Sequence, residues 1–343
     1  MVTLLITMTI YYFISRSICN FFHSSGSLSH YRARHPKSEK NSYLRDILFC
    51  NLFIFLSFLT FYGSIFFILS IYLYLLIKKE FKLFLYLVPG FILSLIIISS
   101  LLLQQINNSQ IVLKQVMNWS LVLGQANIKN LLLIPIKFSI GKISFEPKIA
   151  YWIISAVWTT FLFSFIFKTM LDLRGPTKNR IFLWLFFTPI IIGFLVSFYT
   201  PLLQYFRFIY IIPIMIILIA INTNKNWQRI IILSGFAIFS FIYLLNPAYH
   251  REDWKSLVSN LNKSKPVYMI YSSSDPVRYY NNKIEIKDIK KLTDYKLKNS
   301  IQIIPYTSEI HGVDYKKILN ELGYKIINEN SYRELKIERW DIE

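Results

Sequence analysis

The chain has 343 residues, 54% hydrophobic and 17% aromatic, and a formal net charge of +19. Charge is segregated: the first 246 residues hold 21 of the 38 basic groups but only five of the 19 acidic ones, while the last 97 are nearly balanced. This excludes an ordinary soluble globule for the first part, and since its cations stand mostly in short loops between apolar runs, it also excludes nucleic acid as their partner.

Residues 1–14, MVTLLITMTIYYFI, lack the basic leader and small-residue cleavage site of a signal peptide and look like one end of a membrane helix. Residues 17–46 are polar and basic without apolar period, which predicts a cytoplasmic loop or a disordered segment. The apolar run 47–77 is long for one span and short for two. Gly63, following Thr60-Phe61-Tyr62, predicts a short helix, a bend and a second helix. Further spans are predicted over 83–103, 149–168, 181–199, 206–222 and 229–246. Between them, 104–148 is expected as an outer loop. Its stretch NLLLIPIKFSIGKISF reads either as a failed span or as an interfacial amphipathic helix with Lys129, Lys137 and Lys142 at headgroup level.

Basic loops set the expected orientation. Lys78, Lys79 and Lys82 form one, Lys168, Arg174, Lys178 and Arg180 a second, Lys225 and Arg229 a third. With all three in the cytoplasm the spans alternate, and 104–148, the turn 200–206 and the segment after 246 fall outside. The expected fold is therefore an all-α polytopic membrane domain, 1–246, of about 7–9 spans or half-spans, followed by a small α/β extracytoplasmic domain, 247–343. In that domain 253–262 and 314–322 read as helices, and 266–271, 300–305, 324–327 and 335–340 as strands. In HREDWK, residues 250–255, Glu252 and Asp253 are placed to cap a helix start, and Trp254 suits a membrane interface.

The two cysteines, Cys19 and Cys50, cannot build a disulfide framework or a zinc site. No Walker loop, GxGxxG, HExxH or serine elbow is present. The polar feature of the membrane domain is Arg207, where the outer turn 200–206 enters a span, followed by Tyr210 and Pro213. It reads either as an interfacial anchor or as a cation facing an outer cavity, suited to a phosphate.

Five segments in order carry a resemblance: YYFISRS at 11–17, FLTFYGSIFFIL at 58–69, RFIYIIPIMIILIAI at 207–221, YHREDWKSLV at 249–258, and the closing IIPYTSEIHGVDYKKILNELGYKIINENSYRELKIERW. Together they resemble the GT-C superfamily of membrane glycosyltransferases, in its protein-mannosyltransferase-like branch (glycosyltransferase family 39 and relatives). The resemblance implies a cell-membrane enzyme. It would move a sugar from a polyprenyl-phosphate carrier to a lipid or protein acceptor on the outer face, with membrane lipids around it. Arg207, Tyr210 and Arg16 are the positions it points to for substrate binding.

Phe61 stands where a histidine is common, and the chain departs from that pattern in two larger ways. The family's catalytic carboxylate in the first outer loop has no evident counterpart, as expected of a chain that begins several spans later, and the patch 17–46 is more polar than the helix expected there. Transfer needs a base for the acceptor, and Glu146 is the one acid on the outer side of the membrane domain. The expectation is an N-terminally truncated member, or one degenerate or frame-shifted near 17–46, with little activity alone. No cofactor is evident, no metal-ligand set is seen, and a need for a divalent metal stays open. The alternative is a non-catalytic multi-pass protein, transporter-like or anchoring, that presents its outer domain to a partner.

Overall fold

The computed structural model describes residues 36–145, 147–171 and 177–342. They fall into two units. One runs up to Asn108 and includes Gly124–Gly141 and Phe145–Phe236; the other joins Ser109–Leu123, Lys142–Ser144 and Ala237–Glu343.

The first unit is helical. Helix α1 (Pro36–Thr60) is followed by an extended Phe61, a 3-10 turn at Tyr62–Ser64 and α2 (Ile65–Ile77), so the break falls where Gly63 predicted it. Residues 36–46, expected as loop or disorder, are helical instead. Their polarity argues against hydrocarbon but not against a helix, since Lys, Glu and Arg are good helix formers. The remainder of that stretch, 17–35, lies outside the described residues, as do 1–14.

Helix α2 ends in a turn where Lys79 takes φ +59°. The Lys79 N–H reaches the Leu76 carbonyl at 3.0 Å and the Glu80 N–H that of Leu75 at 2.8 Å, closing the helix end without glycine. Helix α3 (Phe81–Gln115) then runs for 35 residues, about 52 Å. It therefore passes well beyond the predicted 83–103 and takes up the first part of the supposed outer loop. Gln, Asn and Ser at 104–109 make that stretch polar but do not stop a helix.

The rest of 104–148 is helical too, in α4 (Trp119–Leu123) and α5 (Ile128–Ile140). Helix α5 starts at Asn127, whose side chain accepts the Asn130 N–H at 2.7 Å, and stops at Gly141, φ +72°. At 13 residues it is too short to span. It buries Ile134, Phe138 and Ile140 and leaves Lys129 exposed. Lys137 instead donates to the Tyr151 hydroxyl at 3.2 Å, and Lys142 lies beyond the helix end, paired with Glu334 at 3.3 Å. The stretch is thus a helix too short to span, with one of the three lysines, Lys129, exposed beside Ile128 and Leu132.

Then come α6 (Lys148–Leu171), α7 (Thr177–Val196), a 3-10 segment at Tyr205–Ile211 continuing into α8 (Ile212–Asn222), and α9 (Asn226–Leu245), which belongs to both units. Four of these stretches are long and apolar enough to cross a membrane: Phe81–Gln115, Lys148–Leu171, Tyr205–Asn222 and Asn226–Leu245. The chain thus has the build of a multi-pass membrane protein, with fewer full spans among the described residues than expected. Three apolar helices, Ile47–Thr60, Tyr62–Ile77 and Arg180–Val196, are shorter because Phe61 splits the long run and a turn ends α7.

Lipid tails are as apolar as leucine, so helices here associate by close fit and interhelical hydrogen bonds. Gly90 lies against the Asn51 backbone, Gly193 against the Phe208 ring and Gly235 against Trp158; a Cβ at any of them would come within 2.5 Å of its neighbour. The Trp184 indole donates to the Ser70 carbonyl at 2.8 Å, joining α7 to α2, and the Tyr72 hydroxyl donates to Leu87 in α3 at 3.0 Å.

The second unit holds a five-stranded sheet in the order β2-β1-β3-β5-β4. The strands are β1 (Val267–Met269), β2 (Ile286–Asp288), β3 (Ser300–Ile303), β4 (Tyr324–Tyr332) and β5 (Leu335–Ile342). β1 pairs in parallel with β2 and β3, whereas β5 is antiparallel to β3 and β4. The expected four strands are present. The fifth, β2, is three residues of IKD, too short and polar for a periodicity signal.

Helices α10 (Trp254–Ser259) and α11 (Asp275–Tyr280) cover one sheet face with α12 (Tyr315–Glu321) on the other. Asp253 caps α10 as predicted, its carboxylate accepting the Ser256 N–H at 3.1 Å. That bond, with Arg333 at 3.2 Å, holds its carboxyl below the usual range. Trp254 does not sit at an interface: it is 8% exposed, inside the core, edge-on to Tyr306 at 4.9 Å. Glu338, also buried, is fully engaged by the Tyr315 hydroxyl at 2.9 Å, the Trp340 indole at 3.0 Å and Lys316 at 3.3 Å. Burial, with that carboxylate beside it, pushes the Tyr315 phenol up, so it remains a donor.

Candidate functional site

Arg207 is carried by the 3-10 segment Tyr205–Ile211. In such a helix, residues three apart lie on one face, about 6 Å along the axis. Arg207 and Tyr210 therefore share a face, one turn apart. The arginine is partly exposed, and among the described residues no acceptor pairs with its guanidinium. Tyr210 is 5% exposed. Its ring packs against Phe61 at 6.2 Å and edge-on to Phe67 at 6.0 Å, and its buried hydroxyl has no partner among the described residues.

The sequence positions this segment through two glycines. Gly124 takes φ +96°, open to glycine at little cost, and its carbonyl accepts the Leu203 N–H at 2.8 Å. A Cβ there would stand 2.4 Å from the Leu203 carbonyl oxygen, so backbone meets backbone directly before the arginine turn. On the other side, Gly193 of α7 admits the fully buried Phe208 ring. The Arg207 N–H is itself tied to the Gln204 carbonyl at 3.0 Å.

The arginine segment packs on the other interrupted stretch of the unit, Tyr62–Ser64, through Phe61 and through Phe66, stacked on Phe208 at 6.0 Å. Ser64 is 3% exposed, and like Tyr210 it buries a hydroxyl with no partner among the described residues. Two helix interruptions thus meet, with Arg207 one turn from Tyr210 and the buried hydroxyls of Tyr210 and Ser64 unanswered among the described residues. A guanidinium presents a planar fork of donors suited to phosphate or carboxylate oxygens.

Arg16 and Glu146 lie outside the described residues. Among those described, no group of three or more His, Cys, Asp or Glu comes together in a way that would hold a metal ion. The sequence pointed to Arg207 and Tyr210 but not to Gly124, Gly193 or Ser64. Their signal is conformational and needs the partner backbone in view. No protein-family model matches the chain, and neither a curated protein nor a solved structure matches it.

Proposed function

We propose that the chain is a membrane glycosyltransferase that takes its sugar from a polyprenyl-phosphate carrier on the extracytoplasmic face, with Arg207 gripping the carrier phosphate. The supporting observation is the arginine itself. It is a partly buried guanidinium with no counter-charge among the described residues, on a segment anchored by Gly124 and Gly193. An unpaired cation at a span end suits an anionic ligand, and a fixed donor fork suits a phosphate that gains charge as the sugar leaves. Tyr210 supports the arginine turn from within the core, where its ring packs on Phe61 and Phe67. The C-terminal unit lies outside in this reading, and the acceptor is a lipid or protein there.

Arg207→Lys tests the grip. Lysine keeps the charge but loses two parallel hydrogen bonds, so carrier affinity should fall about ten- to a hundredfold with expression and insertion intact. Equal affinities for parent and variant would reduce Arg207 to an interfacial anchor.

A second reading draws on the meeting of the two interruptions. Contacting discontinuous helices with buried, unanswered hydroxyls are the build of a transporter's solute site. Solute flux into vesicles carrying the purified chain, unaffected by Arg207→Lys, would favour it.

A further inference from the structure

A half-open groove of about 570 Å³ follows the later turns of α6, lined among others by Thr160, Phe163, Phe167, Lys168 and Leu171, together with Pro135 of α5. Its volume is within the range of about 300–1,000 Å³ typical of small-molecule sites. Thr159, the first of the α6 residues that line it, lies about 14 Å along the helix from Lys168 at 1.5 Å per residue. One leaflet of hydrocarbon is about 15 Å, half of the 30 Å core. The groove is therefore as long as one leaflet is deep.

Its two ends differ chemically. The inner end carries Thr159 and Thr160, with Phe163 and Phe167 between them and Lys168, and the wall is mostly carbon. At the outer end, Lys168 is exposed and makes no ion pair or hydrogen bond among the described residues. It belongs to the basic loop that the charge alternation assigns to the cytoplasm, and that leaflet is where anionic lipids concentrate. A mostly apolar slot one leaflet deep, with a cation at headgroup level, is complementary to a molecule with one apolar chain and one negative head.

We propose that this groove binds one acyl chain of an anionic phospholipid, with the lipid phosphate on Lys168 Nζ. The site is independent of Arg207. Bound there, the lipid fills the gap between α5 and α6 and fixes the depth of α6 in the bilayer.

The test is native mass spectrometry of the purified full chain, titrated separately with phosphatidylglycerol and phosphatidylcholine. The parent should bind phosphatidylglycerol more tightly. Lys168→Ala should weaken phosphatidylglycerol about fivefold, the weight of one lysine at an anionic surface, and leave phosphatidylcholine unchanged. Thr160→Trp, which fills the slot from an exposed position, should weaken both. Unchanged phosphatidylglycerol affinity in Lys168→Ala, or unchanged binding of both lipids in Thr160→Trp, would overturn the proposal. So would displacement of phosphatidylglycerol by equimolar polyprenyl phosphate with the same Lys168 dependence, because the occupant would then be the carrier.

Discussion

Pro89 takes one N–H out of the α3 ladder, and the next residue shows how the chain absorbs that loss. The Gly90 N–H turns from its own helix to the Asn51 side-chain oxygen at 2.7 Å. The Asn51 amide in turn donates to the freed Tyr86 carbonyl at 2.7 Å and to Ile47 at 3.1 Å. One asparagine of α1 thus completes a broken turn of α3, where hydrocarbon offers no water to do so. Asn51→Ala would leave a donor and an acceptor unmatched and should cost about 1–2 kcal/mol. Thermal unfolding in detergent reads this as a lower Tm beside Thr60→Ala, whose hydroxyl serves only its own helix. Equal Tm values for the two variants would refute the bridging role. The proline was plain in the sequence, but its partner 38 positions earlier was not, because an amide side chain in an apolar run has no local signature. Trp254 failed for a related reason. A tryptophan next to charges looks interfacial until the sheet that buries it is in view.

Among the elements, spans of high hydropathy were legible, and so was the interruption at Gly63, because composition and a local breaker are enough to mark them. Helix in polar sequence was not: residues 36–46 are helical and α3 runs on to Gln115, since polarity reports on solvent rather than on backbone conformation. Nor was it legible that Ser109–Leu123 packs with the C-terminal sheet. There the Asn118 side chain donates to the Glu309 carbonyl at 2.8 Å, across 191 positions. The 3-10 form of Tyr205–Ile211, which aligns Arg207 with Tyr210, also escapes a hydropathy reading. Gly124 controls that element. In Gly124→Ala the new Cβ meets both a positive φ and the Leu203 carbonyl, so the cost should exceed about 1 kcal/mol and the arginine turn should shift. Carrier affinity should fall with it, although residue 124 touches no ligand. Gly141→Ala also sits at positive φ, but in open space, and should spare affinity while costing some stability. If both variants keep the parent's affinity, the turn does not depend on Gly124.

At the scale of the whole molecule the account rests on sidedness and on one anion. If the C-terminus is outside, as the alternation of basic loops predicts, a reporter that is active only in the cytoplasm should stay silent when fused after Glu343. A strong signal would invert the orientation, move Arg207 to the cytoplasmic face and Lys168 to the outer one, and remove the basis for an extracytoplasmic site. The central claim is that the chain recognises a phosphate on a lipid, beyond the lipid's tail. Hydrophobic partition treats a polyprenyl phosphate and its alcohol almost alike, whereas an unpaired guanidinium does not. The direct measurement is therefore the affinity of the purified chain for polyprenyl phosphate and for the matching polyprenol in the same detergent. The phosphate should bind about tenfold or more tightly, with the difference lost in Arg207→Ala. Equal affinities in the parent chain, or a preference that survives Arg207→Ala, would contradict the account.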